Sequence, residues 1–141
     1  MNADAEKLAG CWKLVSFFTE DVATKQRNNL YGEHPRGCIA ITQGRFFGLV
    51  TPERQEPAQT PEAQAASYRA MLAYTGKLQV DGDKFIVDVD VAWNAGWVGT
   101  QQVRFWRIDG NKLLITSAPF PNPNTAGSMV IGTLVWEREP V

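Results

Sequence analysis

The chain has 141 residues, 44% of them hydrophobic and 21% charged, with 14 Lys+Arg against 15 Asp+Glu and a formal net charge of −1. This is ordinary globular composition, and the length suits one domain, residues 1–141, with a core of its own. A near-neutral balance leaves no electrostatic footprint for nucleic acid, and no run approaches the ~20 apolar residues of a membrane span, so neither is an expected partner.

Met1 to Gly10 is polar and lacks the apolar stretch of a signal peptide, which points to the cytoplasm. Trp12 to Thr19 reads as a first strand. Asn28 to Arg36 reads as a loop. Gly37–Thr42 and Arg45–Thr51 form a hairpin across Gln43-Gly44. Thr51 to Gln59, with two prolines, is a loop. A helix follows: Thr60 is a good N-cap, Pro61 sits where its missing N–H costs nothing, and Glu62 suits the positive end of the dipole. Ala63, Ala66 and Ala70 fall on one face of it, with Met71 beside them, a surface small enough to lie close on a sheet or a barrel mouth. Tyr74–Val80 and Lys84–Trp93 pair across Asp81-Gly82-Asp83, and Val98–Ile108 and Lys112–Ser117 across Asp109-Gly110-Asn111. Asp-Gly favours hairpins because glycine accepts positive φ without steric cost. Pro119 to Gly127 is too proline-rich for a regular ladder, and Met129 to Arg138 is the last strand. These elements predict an all-β antiparallel barrel of about eight strands with one short α-helix, a strand number that closes around a small ligand.

Two cysteines, Cys11 and Cys38, and one histidine, His34, are too few for a standard structural zinc site. Neither a metal nor a cofactor is expected, and in a reducing compartment the cysteines read as free thiols. A Ser-His-Asp or Cys-His arrangement would have to use His34, and nothing around it suggests a nucleophile elbow.

Gly10-Cys11-Trp12-Lys13-Leu14-Val15-Ser16-Phe17 resembles the Gly-x-Trp opening of lipocalin folds, and more specifically that of the bacterial and fungal lipocalin-like domain family. Pro35-Arg36-Gly37, Ile39 to Thr42 and Gly44-Arg45-Phe46 resemble the family's second and third strands. Tyr68 to Gly76 resembles its helix and following strand. Trp97-Val98-Gly99-Thr100 and Gln102 to Phe105 resemble its sixth strand, and Leu134 to Arg138 its last. The resemblance spans nearly the whole chain. It implies a lipocalin-like barrel with Trp12 packed at the closed end under Arg138, a cation–π pair of roughly 0.5–2 kcal/mol. One strand departs from the family, which often carries histidines where this chain reads Val87-Asp88-Val89-Asp90-Val91.

Strand alternation selects the candidate site. A turn centred near Gly96 sets Asp88 opposite Arg104, Asp90 opposite Gln102 and Ile86 opposite Trp106. The other face carries Phe85, Val87, Val89, Val91, Val103 and Phe105. Either the apolar face is inside and the Asp/Arg face is solvated, or the polar face lines a cavity. In the second case Arg104, paired with Asp88, receives a ligand carboxylate, enolate or phenolate. Tyr74 could offer a phenol to that cavity, or be a buried structural tyrosine. His34 could act as an acid at the barrel mouth, or be a solvated loop residue. Trp93 and Trp97 bracket a turn and could line a pocket rim or an interface. Catalytic candidates are therefore Arg104, Asp88 and His34, and ligand-binding candidates are Arg104, Asp88, Asp90, Gln102, Trp106, Tyr74 and Trp97.

Three functions fit. The first is binding of a small, mostly hydrophobic or amphipathic molecule in the barrel. The second is a metal-free, cofactor-independent cyclase or isomerase for a polyketide- or terpenoid-like substrate, as in secondary metabolism. The third is a non-catalytic interaction module that forms a homodimer through its apolar strand face. Fold alone does not choose among them.

Overall fold

The computed structural model describes residues 3–122 and 127–140. A short helix, α1 (Ala3–Leu8), precedes strand β1 (Gly10–Asp21). Next come β2 (Arg27–Asn28), β3 (Arg36–Thr42), β4 (Arg45–Thr51) and helix α2 (Pro61–Arg69). The remaining strands are β5 (Leu72–Asp81), β6 (Lys84–Ala92), β7 (Gln101–Asp109), β8 (Lys112–Thr116), β9 (Phe120–Pro121) and β10 (Met129–Arg138). All ten lie in one antiparallel sheet. The two-residue strands β2 and β9 are appendages of β1 and β10, and β1 also pairs with β10. That last pairing closes the other eight strands into a barrel.

The predicted hairpins form where their turn residues allow. Gln43 and Gly44 both take positive φ, +51° and +77°, and carry the chain from Thr42 to its partner Arg45 in two residues. Gly82 and Gly110 do the same work at +61° and +62°. Helix α2 starts as expected: Thr60 accepts from the Ala63 N–H, and Pro61 opens the first turn. Its alanine face is not sealed against the barrel: none of the helix's residues is buried, and Ala66 is exposed.

Three features depart from the expected pattern. Helix α1 buries Ala5 and Leu8 under the closed barrel end, although the segment's polar composition hides this. Strand β1 shifts register between Leu14 and Ser16, so that Trp12 and Leu14 below the irregularity and Phe17 and Thr19 above it are all buried. Strand β6 carries an extra residue at Asp90, because Thr75 faces Val91 while Gly76 faces Val89. The bulge turns Val91 outward, where it is 62% exposed, against the alternation that buries Val87 and Val89. A Cβ on Gly76 would lie 2.0 Å from the Asp88 carbonyl oxygen, so the bulge needs glycine opposite it. The loop expected at Pro119 to Gly127 contains the β9 pairing with β10, and its residues 123–126 lie outside the described residues.

The closed end is built as the resemblance implies. Trp12 is fully buried, and its indole N–H donates to the Leu8 carbonyl at 3.0 Å. The Arg138 guanidinium lies 4.0 Å from the Trp12 ring centroid and donates to the Ala9 and Lys7 carbonyls, both at 2.8 Å. Arg138 thus also caps the carbonyl end of α1.

Candidate ligand-binding cavity

Above this floor the barrel interior holds a cavity of about 310 Å³, at the lower end of small-molecule sites. Its walls are mostly aromatic and aliphatic, with Phe46, Phe85, Ile39 and Ile115 below and Phe17, Val50, Leu72, Trp97 and Phe120 nearer the loops. Rings continue one another from the helix to the floor. Tyr68 of α2 meets Trp93, then Trp97, Tyr74, Phe46 and Phe85 follow, with centroids 5.1–6.3 Å apart. Offset and tilted pairs of this kind add to simple area burial. The Trp93 indole also donates to the Tyr68 carbonyl at 3.1 Å, tying the end of α2 to the residue that follows β6.

Polar groups are few. Among the described residues Arg104 is the one charged residue in the cavity wall, joined by the hydroxyls of Tyr74 and Ser117. Burial pushes the Tyr74 phenol up, while the nearby Arg104 cation pulls the other way. Along the inner face of β7 a hydrogen-bonded ladder holds the arginine. Its Nη2 donates to Gln102 Oε1 at 3.1 Å, Gln102 Nε2 donates to the Thr100 hydroxyl at 3.0 Å, and that hydroxyl donates to the Trp97 carbonyl at 2.6 Å. Arg104 Nη1 donates to the Val103 carbonyl at 2.8 Å. Among the described residues no carboxylate pairs with Arg104.

The expected Asp88–Arg104 pair does not form. Arg104 faces Phe85, Gln102 faces Val87, and Asp88 faces Gln101. The link between β6 and β7 contains a single 3-10 turn, Ala95–Trp97, stapled where Val89 N–H donates to the Thr100 carbonyl and Gly99 N–H to the Val89 carbonyl. The crossing therefore centres between Asn94 and Ala95 rather than on Gly96. The displacement is three residues, and an odd displacement exchanges the faces of one strand relative to the other. The apolar side of β6 and the polar side of β7 both point inward. Val103 and Phe105 are correspondingly exposed, so the Val/Phe stripe expected as one dimer face is split between interior and exterior.

The other candidates separate accordingly, and each has a definite place. Tyr74, Trp97 and Arg104 line the cavity. Gln102 supports Arg104, and Trp106 packs against the core beside the cavity without lining it. Asp88 accepts from Gln101 Nε2 at 2.8 Å on the outer wall. Asp90, the bulged residue, is also outside and takes a two-pronged pair from Arg45, one arm at 3.0 Å. His34 is exposed in the β2–β3 loop beside an outer groove, its backbone N–H donating to Glu53 at 2.7 Å. Sequence reasoning missed Phe17, Phe46, Phe85 and Trp136 as wall residues. The alternation around Phe46 and Phe85 carried that signal, whereas the β1 irregularity hid Phe17.

The lipocalin-like domain family matches residues 9–139, and the chain belongs to that family. No curated protein matches it. A lipocalin-like barrel suggests small-molecule binding in general terms.

Proposed function

We propose that the protein binds a small, mostly hydrophobic molecule inside the barrel. The observation that carries this reading is the interior cavity, walled by aromatic and aliphatic side chains above a floor closed by Trp12, Leu8 and Arg138. The proposed partner is that molecule, with neither nucleic acid nor a membrane, and the proposed location is the cytoplasm, where the exposed thiols Cys11 and Cys38 stay reduced. Gly132 supplies the test. It lines the cavity, and a Cβ there meets nothing closer than 3.5 Å among the described residues. Gly132→Leu is expected to occupy part of the space and weaken quenching of tryptophan fluorescence by apolar aromatic compounds, while Gly132→Ala folds and binds as wild type does. Unchanged binding by a folded Gly132→Leu protein would remove the cavity from the account.

A cofactor-independent cyclase or isomerase is the second reading, favoured by one observation. Arg104 and Tyr74 set a permanent cation and a phenol in the same apolar enclosure, two groups able to stabilise a developing enolate oxygen, with the proton leaving to solvent or to a basic group of the substrate itself. A homodimer is the third, favoured by Phe47, Leu49 and Val91 grouped on the outer wall at 44%, 48% and 62% exposure. Sedimentation of wild type against Phe47→Ser tests it.

A further inference from the structure

We infer that the molecule held in the barrel is an anion, an apolar and largely planar body carrying one negatively charged oxygen group that pairs with Arg104. The inference rests on the cavity-binding reading above and names the ligand's charge and its contact.

Three observations carry it. First, among the described residues Arg104 is the one charge in an otherwise apolar wall, and no carboxylate meets it. The side chain is half-buried at the wall of an apolar enclosure, where the lower local dielectric strengthens its attraction for an incoming anion relative to water. Second, its acceptor partners are neutral, the Gln102 side-chain carbonyl and the Val103 backbone carbonyl. A guanidinium has five N–H donors, so the remaining ones are open to a carboxylate, enolate or phenolate oxygen. Third, the ladder through Gln102 and Thr100 to the Trp97 carbonyl fixes the guanidinium from one side, which pre-organises it. Tyr74 lines the same cavity, and burial pushes its phenol up, so the enclosure holds a protonated O–H besides the cation. The wall of rings at Phe46, Phe85, Trp97 and Trp136 suits a flat apolar body.

The experiment compares 2-naphthoate with its neutral isostere, 2-naphthamide, by titration calorimetry on the intact protein. Wild type is expected to bind the naphthoate about 10–100-fold more tightly, the range for a hydrogen bond to a charged partner. Arg104→Met should reduce the ratio to about twofold or less while leaving the amide's affinity in place. Arg104→Lys should keep most of the preference, because it keeps the cation. Equal affinities in wild type, or a preference that survives in Arg104→Met, would overturn the anion assignment and leave cavity binding standing. Binding of neither probe to wild type would overturn both. The wild-type comparison needs no variant, so the proposal stays testable even if one of them folds poorly.

Discussion

The five tryptophans separate by what their N–H groups do. Trp12 is buried with its N–H bonded to Leu8. Trp106 and Trp136 have buried N–H groups with no hydrogen-bond partner among the described residues. Deleting the Trp12 side chain as Ala should cost roughly 3–5 kcal/mol in urea unfolding, and Arg138→Ala only about 1 kcal/mol, because that guanidinium is exposed and works by stacking and capping. Replacement by Phe gives a sharper contrast. At Trp106 and Trp136 it removes an orphaned donor whose burial costs about 1–3 kcal/mol, which offsets the lost ring volume. At Trp12 it strands the Leu8 carbonyl. Melting curves should therefore rank Trp12→Phe well below the other two. On the outer wall, the hydrogen bond from Arg45 holds the Asp90 carboxyl below its ordinary value. The stabilisation from that pair is complete above the ordinary carboxylate range and disappears as pH falls through the lowered value. Asp90→Asn should flatten the acid limb of the unfolding profile and leave ligand affinity unchanged.

At the scale of elements, what the sequence revealed depended on how locally each feature is determined. Tight hairpins are set by two or three residues, so Gln43-Gly44, Gly82 and Gly110 announce themselves. The start of α2 is equally local, through Thr60 and Pro61. Register across Trp93 to Thr100 is not local. It depends on the chain spending three residues in a 3-10 turn and on the Val89 staple, and no composition signal distinguishes that path from a simpler turn. The Asp90 bulge is similarly silent, because its cause lies on the facing strand at Gly76. Tyr74, Trp97 and Arg104 are therefore legible as residues of the cavity wall, while Asp88 and Asp90 are expected there only through an error of strand parity. Gly76→Ala is the corresponding prediction. With a backbone oxygen at 2.0 Å from the added carbon, a strand has to move, and the loss should reach about 3 kcal/mol or more by chemical denaturation.

For the whole molecule, closure is the costly step. Strand β1 pairs with both β3 and β10, joining Trp12 to Arg138 across most of the chain. Topologies dominated by such distant pairings fold slowly, in roughly milliseconds to seconds, since loop-closure entropy is spent before the contacts form. Stopped-flow refolding followed by tryptophan fluorescence should fall in that range, and far-UV circular dichroism of the product should be β-dominated with a small helical part. Microsecond refolding or a largely helical spectrum would contradict the closed barrel.

The opposite placement of floor and cavity has an evolutionary consequence. The side chains that anchor the fold, Leu8, Trp12, Ile41 and Leu113, are absent from the cavity wall, while the less buried Leu72, Trp97, Phe120 and Leu134 line it without closing the floor. Selection can therefore act on the wall at a smaller cost to the floor than on the buried cluster itself, since coupling between substitutions weakens as they cease to share partners. A lineage could exchange its wall residues, and with them its ligand, while drawing on a largely intact stability reserve. Randomising those four wall positions should accordingly yield a large fraction of folded variants, with altered binding spectra on one unchanged scaffold.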